Sequence, residues 1–224
     1  MPRMRQDWRD VVFLHWEIDP DAVAPLLPRG VAPDVLDGRT YVGLIALRMC
    51  RVTVPPLPPV PYLSWFPEVN VRLYGVGADG RGGVVFRSLD AARLLAVLGG
   101  RAAVRLRYQW SRMSFRRDGA TVSYASRRRW PDAPGARLRL AVRAAEPVAG
   151  PSRLEEFVTA RWGLHERWYG GRTVYLPVAH PAWSLYRARL LDLGEDLIAA
   201  AGLPAPSGPP CSVLYSPGVR VRVG

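Results

Sequence analysis

"PEVNVRLYGVGADGRGGVVFRSLD", residues 67–90, is the part of this 224-residue chain that indicates its fold class most directly. Its first ten residues alternate between polar and apolar side chains, which predicts a strand from about Glu68 to Val76. The glycine-rich segment GADGRGG then predicts a turn into a second strand, VVFRSLD. Because strands joined by a short turn pair antiparallel, this stretch favours an antiparallel sheet.

The rest of the chain continues this pattern of short strands and turns. Strands are predicted at 11–18, 102–110, 112–117, 120–130, 136–144 and 184–193, hairpins at 32–49 and 164–178, and a closing strand pair at 212–223. Short helices are predicted at 19–30, 90–100, 150–162 and 194–203. Gly99 and Gly100 are expected to end the second helix, and Ser152 with Glu155 forms a capping box in the third. The proline-rich segment 54–63 is expected to be an extended loop.

This order of elements lacks the regular strand–helix alternation of a doubly wound parallel sheet. It predicts a mainly β (α+β) fold, either an antiparallel-rich barrel or a strongly curved sheet with a few peripheral helices. No break in composition divides the chain, so we expect a single domain that spans residues 1–224.

The composition is that of a globular protein, with 49% hydrophobic and 22% charged residues. No run of about 18 apolar residues predicts a membrane span. The N-terminal sequence MPRMRQDWRD has no apolar segment behind its charges, so we expect no secretory signal. Cys50 and Cys211 lie far apart in the sequence and form no metal-type cluster. We therefore expect a cytoplasmic protein with reduced thiols, no metal and no cofactor.

The charge is strongly basic, with a formal net value of +12, and all 31 basic residues are arginines. Arginine-rich coding bias and an anionic partner are two explanations of this charge. The arginines are spread along the chain, which favours the first explanation over a nucleic-acid-binding tail. The missing lysine excludes Schiff-base catalysis through a lysine amine, because a guanidinium does not lose its proton.

Glu68, Asn70 and Arg72 lie at positions i, i+2 and i+4 of the predicted strand and therefore share one face. On an edge strand this would be a solvated polar face. On the inner face of a closed ring of strands it would be the floor of a charged pocket. There Arg72 could bind a carboxylate, and Glu68 could act as an acid or base if burial raised its pKa.

Two further patches contain aromatic and basic residues. His180 and Trp183, in AHPAWSL, are either a structural packing pair or part of a ligand-binding wall. The segment RRRW, 127–130, suggests phosphate binding with stacking, but its arginines would alternate between the two faces of a strand. His15 is a third ligand-binding candidate, although the histidines are scattered and show no metal-ligand spacing.

Six segments together carry a family resemblance. They are FLHWEIDPDAVAPLLPRG (13–30), LDGRTYVGLIALRM (36–49), FPEVNVRLYGV (66–76), GVVFRSLDA (83–91), AHPAWSL (179–185) and LYSPGVRVRV (214–223). In this order they resemble the YqjF-like family of uncharacterised proteins, also called DUF2071, which is grouped with the acetoacetate decarboxylase-like superfamily. The resemblance implies a cone-shaped, mostly antiparallel β-barrel with flanking helices and an interior pocket. It also makes a homodimer an expectation.

The resemblance also bears on chemistry. In the decarboxylases a Gly-Arg-Glu motif leads to a Pro-Lys pair whose lysine forms the Schiff base. Gly100 and Arg101 match the Gly-Arg here, and Tyr108 stands where the lysine is expected. Glu68 matches one of the two decarboxylase glutamates, whereas Gly43 falls near the other. Imine-based decarboxylation is therefore not supported.

Three hypotheses about function follow. In the first, the interior pocket binds a small anionic or carbonyl-containing metabolite. In the second, the same pocket is a lysine-independent active site for condensation, dehydration or cyclisation. Glu68 would be its acid or base, Tyr108 a hydrogen-bond donor, and Arg72 or Arg101 the anion anchor. In the third, which is the least favoured, the basic chain binds nucleic acid. We expect no membrane partner.

Overall fold

A computed structural model describes residues 4–224 of the chain. The strands are β1 (Met4–Ile18), β2 (Val31–Pro33), β3 (Thr40–Thr53), β4 (Phe66–Gly77), β5 (Gly82–Ala91), β6 (Tyr108–Asp118), β7 (Thr121–Trp130), β8 (Arg137–Pro147), β9 (Gly163–Arg167), β10 (Thr173–Ala179), β11 (Tyr186–Glu195) and β12 (Ser212–Val223). The α-helices are α1 (Pro20–Val23), α2 (Leu94–Val104), α3 (Arg153–Thr159) and α4 (Leu197–Ala200).

All twelve strands belong to one sheet, which closes on itself twice. β5 pairs with β4, β6 and β9, and β12 pairs with β1, β10 and β11. These two branch points create a ring of nine strands, β5–β6–β7–β8–β11–β12–β1–β3–β4, and a ring of seven, β12–β1–β3–β4–β5–β9–β10. Only the contacts of β5 with β6 and β9 are parallel. The predicted fold class, mainly β with mostly antiparallel closed strands and few helices, is confirmed.

Five strands, β12, β1, β3, β4 and β5, are common to both rings, so over most of their length both of their faces are buried. In β4, the side chains of Val69, Val71 and Leu73 belong to the apolar core of the nine-stranded ring. Alternate residues of the same strand face the seven-stranded ring, because successive side chains of a strand point to opposite sides. The core of the nine-stranded ring also contains Val12, Leu14, Val42, Leu44, Tyr124, Leu138, Leu140 and Val142.

Helix α2 differs from the prediction. It continues through Gly99 and Gly100 to Val104 and ends at Arg105, which has a left-handed backbone (φ 56°). The strand predicted at 102–110 therefore begins only at Tyr108. The reason is a close contact, since a Cβ atom on Gly100 would lie 2.4 Å from Cδ2 of Tyr108. The glycine allows the helix to approach this ring and does not end the helix.

Smaller corrections concern strand pairing. The turn at 37–38 forms, with a bridge between Leu36 and Arg39, but β2 pairs with β4 and not with β3. The segment 212–223 is the single strand β12, and the strands predicted separately at 102–110 and 112–117 contribute to one strand, β6. The capping box of α3 is present. The longest helix has 11 residues, and none in residues 4–224 has the length and apolarity needed to cross a bilayer.

Replacing each glycine of α2 by alanine tests this explanation. Gly100→Ala is expected to destabilise the protein by about 1–3 kcal/mol, because the added methyl group collides with the Tyr108 ring. Gly99→Ala is the matched control, since a Cβ there has nothing within 4 Å. It should stabilise the protein by about 0.5–1 kcal/mol through helix propensity. Chemical denaturation measures both, and equal effects would contradict the close-contact explanation.

Candidate functional site

The seven-stranded ring encloses a cavity of about 390 Å³. Its walls come from β1, β3, β4, β5, β9, β10 and β12, and helix α2 covers one side. Most of the lining is apolar and includes Val11, Phe13, Ile45, Leu47, Met49, Phe66, Leu89, Leu176 and Val178. A mostly apolar, enclosed space of this size with a few polar groups is typical of small-molecule sites.

Strand β4 supplies three polar side chains to this cavity. Glu68, Asn70 and Arg72 all line it, on the face opposite Val69 and Val71. All three are buried. The β4 residues therefore form a polar stripe along the wall of an otherwise apolar space.

Tyr108, the first residue of β6, lies beside Glu68. Its hydroxyl donates a hydrogen bond to Oε2 of Glu68 over 3.1 Å. The parallel pairing of Tyr108 with Leu89 of β5 places the ring at the cavity wall, where it packs against Gly100. Tyr108 and Glu68 therefore form a hydrogen-bonded pair in one enclosed space.

Burial sets the proton affinity of this pair. Glu68 is only 4% exposed, and this burial raises the pKa of its carboxyl group to about 7. Hydrogen bonds from Tyr108 and Asn70 oppose this increase, and the charge of Asp90 adds slightly to it. Burial, followed by the negative charge of Glu68, raises the pKa of Tyr108 well above its ordinary value. At neutral pH, Glu68 can therefore give or take a proton while Tyr108 stays protonated.

The charge of Asp90 is neutralised behind this pair. Arg128 binds its carboxylate through two hydrogen bonds, of 2.9 and 2.6 Å, and Ser111 adds a third of 2.7 Å. Arg128 is the middle arginine of RRRW, and its neighbours Arg127 and Arg129 are exposed on the other face of β7. The alternation predicted for this motif is present, and Arg128 is an internal ion-pair partner.

Arg72 is a buried cation of the cavity; the second arginine of the lining, Arg161, is paired with Asp34. Its Nε donates to the hydroxyl of Tyr74 (3.1 Å) and its Nη2 to the carbonyl oxygen of Val158 (2.9 Å). Within residues 4–224 it makes no ion pair with a carboxylate. A buried charge of this kind favours the binding of an anion, because neutral acceptors compensate it only partly.

Three polar atoms of the lining are buried without a hydrogen-bond partner in the described part of the chain. They are Oδ1 of Asn70, Nε1 of Trp8 and Oε1 of Gln6. Buried polar atoms are usually paired, so a cluster of unpaired ones marks groups that a bound molecule can satisfy.

His180 and Trp183 form an aromatic wall of the cavity. The Trp183 ring stands edge-on to Phe13, with 5.1 Å between ring centres, and stacks on Trp8 at 5.9 Å. His180 lies 5.0 Å from Trp183, and its two nitrogens face the carbonyl oxygens of Pro181 and Arg161. Both residues line the cavity.

The structure places Arg101 and His15 outside the cavity lining. Nη1 of Arg101 donates to the carbonyl oxygen of Tyr108 over 2.8 Å, and its guanidinium lies over the Trp130 ring. Arg101 therefore supports the backbone of Tyr108. His15 is fully buried and bonds to the hydroxyl of Tyr74 over 2.8 Å. Burial, and then the charge of Arg72, holds the pKa of His15 well below its usual value.

Sequence reasoning missed several residues of the site. Tyr74, which accepts a hydrogen bond from Arg72 but does not itself line the cavity, follows the same alternation as Glu68 and Arg72, so extending the stripe by one step would have found it. Gln6 and Trp8 offered no such signal, because their segment is short and rich in charges. Within residues 4–224, no group of three or more His, Cys, Asp or Glu side chains could hold a metal ion.

Comparisons with known proteins agree with this architecture. The family model of DUF2071, an uncharacterised conserved protein, matches residues 5–220. The chain is 30% identical over 212 residues to the uncharacterised protein YqjF of Bacillus subtilis (strain 168), which covers 92% of this chain and 85% of that protein.

Solved structures with a similar fold include an acetoacetate decarboxylase-like enzyme from Sphingomonas wittichii RW1 (TM-score 0.66, 14% identity, 100% of this chain and 91% of that one). Another is the acetoacetate decarboxylase of Legionella pneumophila subsp. pneumophila str. Philadelphia 1 (0.65, 13%, 97% and 84%). A third is the enduracididine biosynthesis enzyme MppR, complexed with the condensation product of pyruvate and imidazole 4-carboxaldehyde (0.60, 15%, 100% and 86%). Identities this low show a shared fold alone.

The raised pKa of Glu68 predicts a specific pH dependence of stability. Between the usual glutamate pKa of 4.5 and about 7, the folded protein binds more protons than the unfolded chain, so stability falls as the pH rises. Glu68→Gln removes this loss. Relative to the wild type, we expect the free energy of unfolding of the variant to increase by about 3 kcal/mol between pH 4 and pH 8.

Urea denaturation at several pH values measures this difference. Glu156→Gln, at an exposed position of α3, is the control for the change in net charge. A constant difference between Glu68→Gln and the wild type across this pH range would contradict the assigned environment of Glu68.

Proposed function

The chain belongs to the DUF2071 family, and we propose that its cavity binds a small metabolite that carries a carboxylate and a carbonyl group. The observation that carries this proposal is the buried guanidinium of Arg72. It has no carboxylate partner within residues 4–224, and it lines the same space as the Glu68–Tyr108 pair. The proposed carboxylate binds Arg72, and the proposed carbonyl group faces Glu68 and Tyr108.

The spacing along β4 supports a ligand with two polar ends. Arg72 is four residue steps beyond Glu68 on the same strand, which corresponds to roughly 13 Å between their Cα atoms. Both residues line the cavity, and Asn70 lies between them. An oxo acid carries the two polar groups that this arrangement requires.

The related folds are consistent with this ligand class. MppR has also been solved in complex with pyruvate, which contains an adjacent carboxylate and ketone. The chain contains 31 arginines and no lysine, so no lysine side chain can form an imine with the ligand. Any chemistry in this cavity therefore proceeds without a covalent lysine adduct.

Titration with short 2-oxo and 3-oxo acids, followed by calorimetry and thermal denaturation, tests the proposal. Arg72→Gln should weaken binding of the acids by about 10- to 100-fold, since it removes a charge-assisted hydrogen bond. Its affinity for uncharged ketone analogues should stay within about twofold of the wild type.

Arg87→Gln is the matched control. Arg87 is also partly buried and donates to main-chain carbonyl oxygens, those of Leu26 and Ala201, but it does not line the cavity. Equal losses in the two variants, or no binding of any acid by the wild type, would refute the assignment of Arg72.

The pKa of Glu68 favours a second, catalytic function. A carboxylate with a pKa near 7 can remove a proton from the carbon next to a ketone. The C–H electron pair then forms the enolate, whose oxygen accepts a hydrogen bond from the Tyr108 hydroxyl. The protonated Glu68 later returns a proton to carbon or to a second group. This is the first step shared by condensation and dehydration reactions.

Exchange of ligand protons for deuterium in D₂O, measured by NMR, tests this second function. Wild-type protein should accelerate exchange next to the carbonyl group, with a rate that rises through about pH 7 as Glu68 ionises. Glu68→Gln should slow it by at least about 100-fold, and Tyr108→Phe by a smaller factor. If a ligand binds to the wild type and its exchange stays at the buffer rate, the protein is a binder and not a catalyst for it.

A further inference from the structure

A second concave space adjoins the cavity. It is a surface groove of about 720 Å³ formed by the first residues of β1, the ends of β3, β10 and β12, and the proline-rich loop at Pro59. Gln6 and His180 line both the groove and the cavity. The two spaces are therefore neighbours, and these two residues form part of the wall between them.

The groove is strongly basic. Its lining includes four arginines, Arg5, Arg51, Arg220 and Arg222, and one carboxylate, Asp7, so its charged groups sum to +3 (four minus one). Asp7 is bound by Arg51 (2.6 Å). The other three groove arginines are exposed and make no ion pair within residues 4–224.

Strand register creates this charge concentration. In the pairing of β1 with β12, Arg5 lies directly opposite Arg222, and Asp7 lies opposite Arg220. Like charges directly opposite each other on neighbouring strands repel. An anion that binds between Arg5 and Arg222 relieves this repulsion, and the planar guanidinium fork fits phosphate oxygens.

Gln6 adds an observation independent of charge. It lies between Arg5 and Asp7 in β1, is only 6% exposed, and its Oε1 atom has no hydrogen-bond partner in residues 4–224. Because Gln6 lines both spaces, a molecule that extends from the cavity into the groove would pass this residue.

We propose that the groove binds a phosphate-type polyanionic group of the same small molecule whose oxo-acid end lies in the cavity. This inference rests on the proposed function for the identity of the cavity ligand. The groove supplies what the cavity does not, a set of exposed cations for two or more negative charges. The ligand class is therefore a phosphorylated oxo acid and not a simple keto acid.

A nucleic acid is the competing occupant, and the geometry favours a small molecule. Binding along a nucleic-acid backbone uses a groove that follows successive phosphates, with bases stacked on aromatic side chains. The groove lining contains no Trp, Tyr or Phe, its one aromatic residue is His180, and it borders the cavity. In RRRW, the other phosphate-binding candidate, Arg128 is turned inward to Asp90.

Calorimetric titration with inorganic pyrophosphate tests the groove directly. Arg5→Gln/Arg222→Gln removes two directly opposed arginines and should weaken binding by at least about tenfold. Arg127→Gln/Arg137→Gln is the matched control, because it removes another exposed pair that is directly opposed, on β7 and β8. The control should change the affinity by less than about twofold. No binding to the wild type, or equal weakening in both variants, would overturn the proposal.

Two further arms separate the remaining outcomes. A 2-oxo acid with a terminal phosphate ester should bind at least about tenfold more tightly than its dephosphorylated form, and Arg5→Gln/Arg222→Gln should remove that advantage. No advantage of the ester would overturn the link between groove and cavity. If a single-stranded oligonucleotide binds through Arg5 and Arg222 and pyrophosphate does not, the small-molecule assignment is wrong.

The pyrophosphate titration is also independent of the cavity. Arg72→Gln should leave it unchanged, because Arg72 does not line the groove. Failure of oxo-acid binding with intact pyrophosphate binding would refute the proposed function and retain an anion site in the groove. Oxo-acid binding without pyrophosphate binding would refute the anion site in the groove alone.

Discussion

The wall of five strands that the two rings share is the constraint on which the rest of the structure depends. Over most of its length, each of these strands, β12, β1, β3, β4 and β5, must bury both of its faces. One face fills the nine-stranded ring, where the core is closely packed and apolar. The other face lines a ring that also contains a cavity. A single strand therefore carries core residues and site residues in alternation, and a shift of one residue in register would exchange them.

This division explains how Glu68 and Arg72 can remain buried on the same strand without neutralising each other. Their positions on β4 keep the two charged groups apart, and each has its own neutral partners. Glu68 accepts from Tyr108, while Arg72 donates to Tyr74 and to the carbonyl oxygen of Val158. A direct ion pair would have kept Glu68 ionised by lowering its pKa, and it would have neutralised the positive charge of Arg72. Their separation leaves one group able to exchange a proton and the other able to bind an anion.

The sequence predicts the parts of this arrangement that depend on local pattern. Alternation in β4 was sufficient to place Glu68, Asn70 and Arg72 on one face, and the glycine-rich turn was sufficient to pair β4 with β5. Local pattern failed where long-range packing decides. Gly100 has the appearance of a helix end, yet its role is defined by the ring of Tyr108 eight residues later. The direction of Arg101 likewise depends on Trp130, which only the folded sheet brings near. The basic groove was also not predicted, because it combines the ends of four strands with a loop.

The position of Tyr108 links the fold to the proposed chemistry. The sequence resemblance predicts a phenol at the position where the decarboxylases have an amine, and the two groups differ in what they can do. An amine that loses its proton attacks a carbonyl carbon, whereas a phenol whose pKa is raised well above its ordinary value remains a hydrogen-bond donor. The same burial that keeps Tyr108 protonated brings the pKa of Glu68 to about 7. In the proposed function, proton transfer is therefore assigned to the carboxylate, and the tyrosine stabilises negative charge on an oxygen.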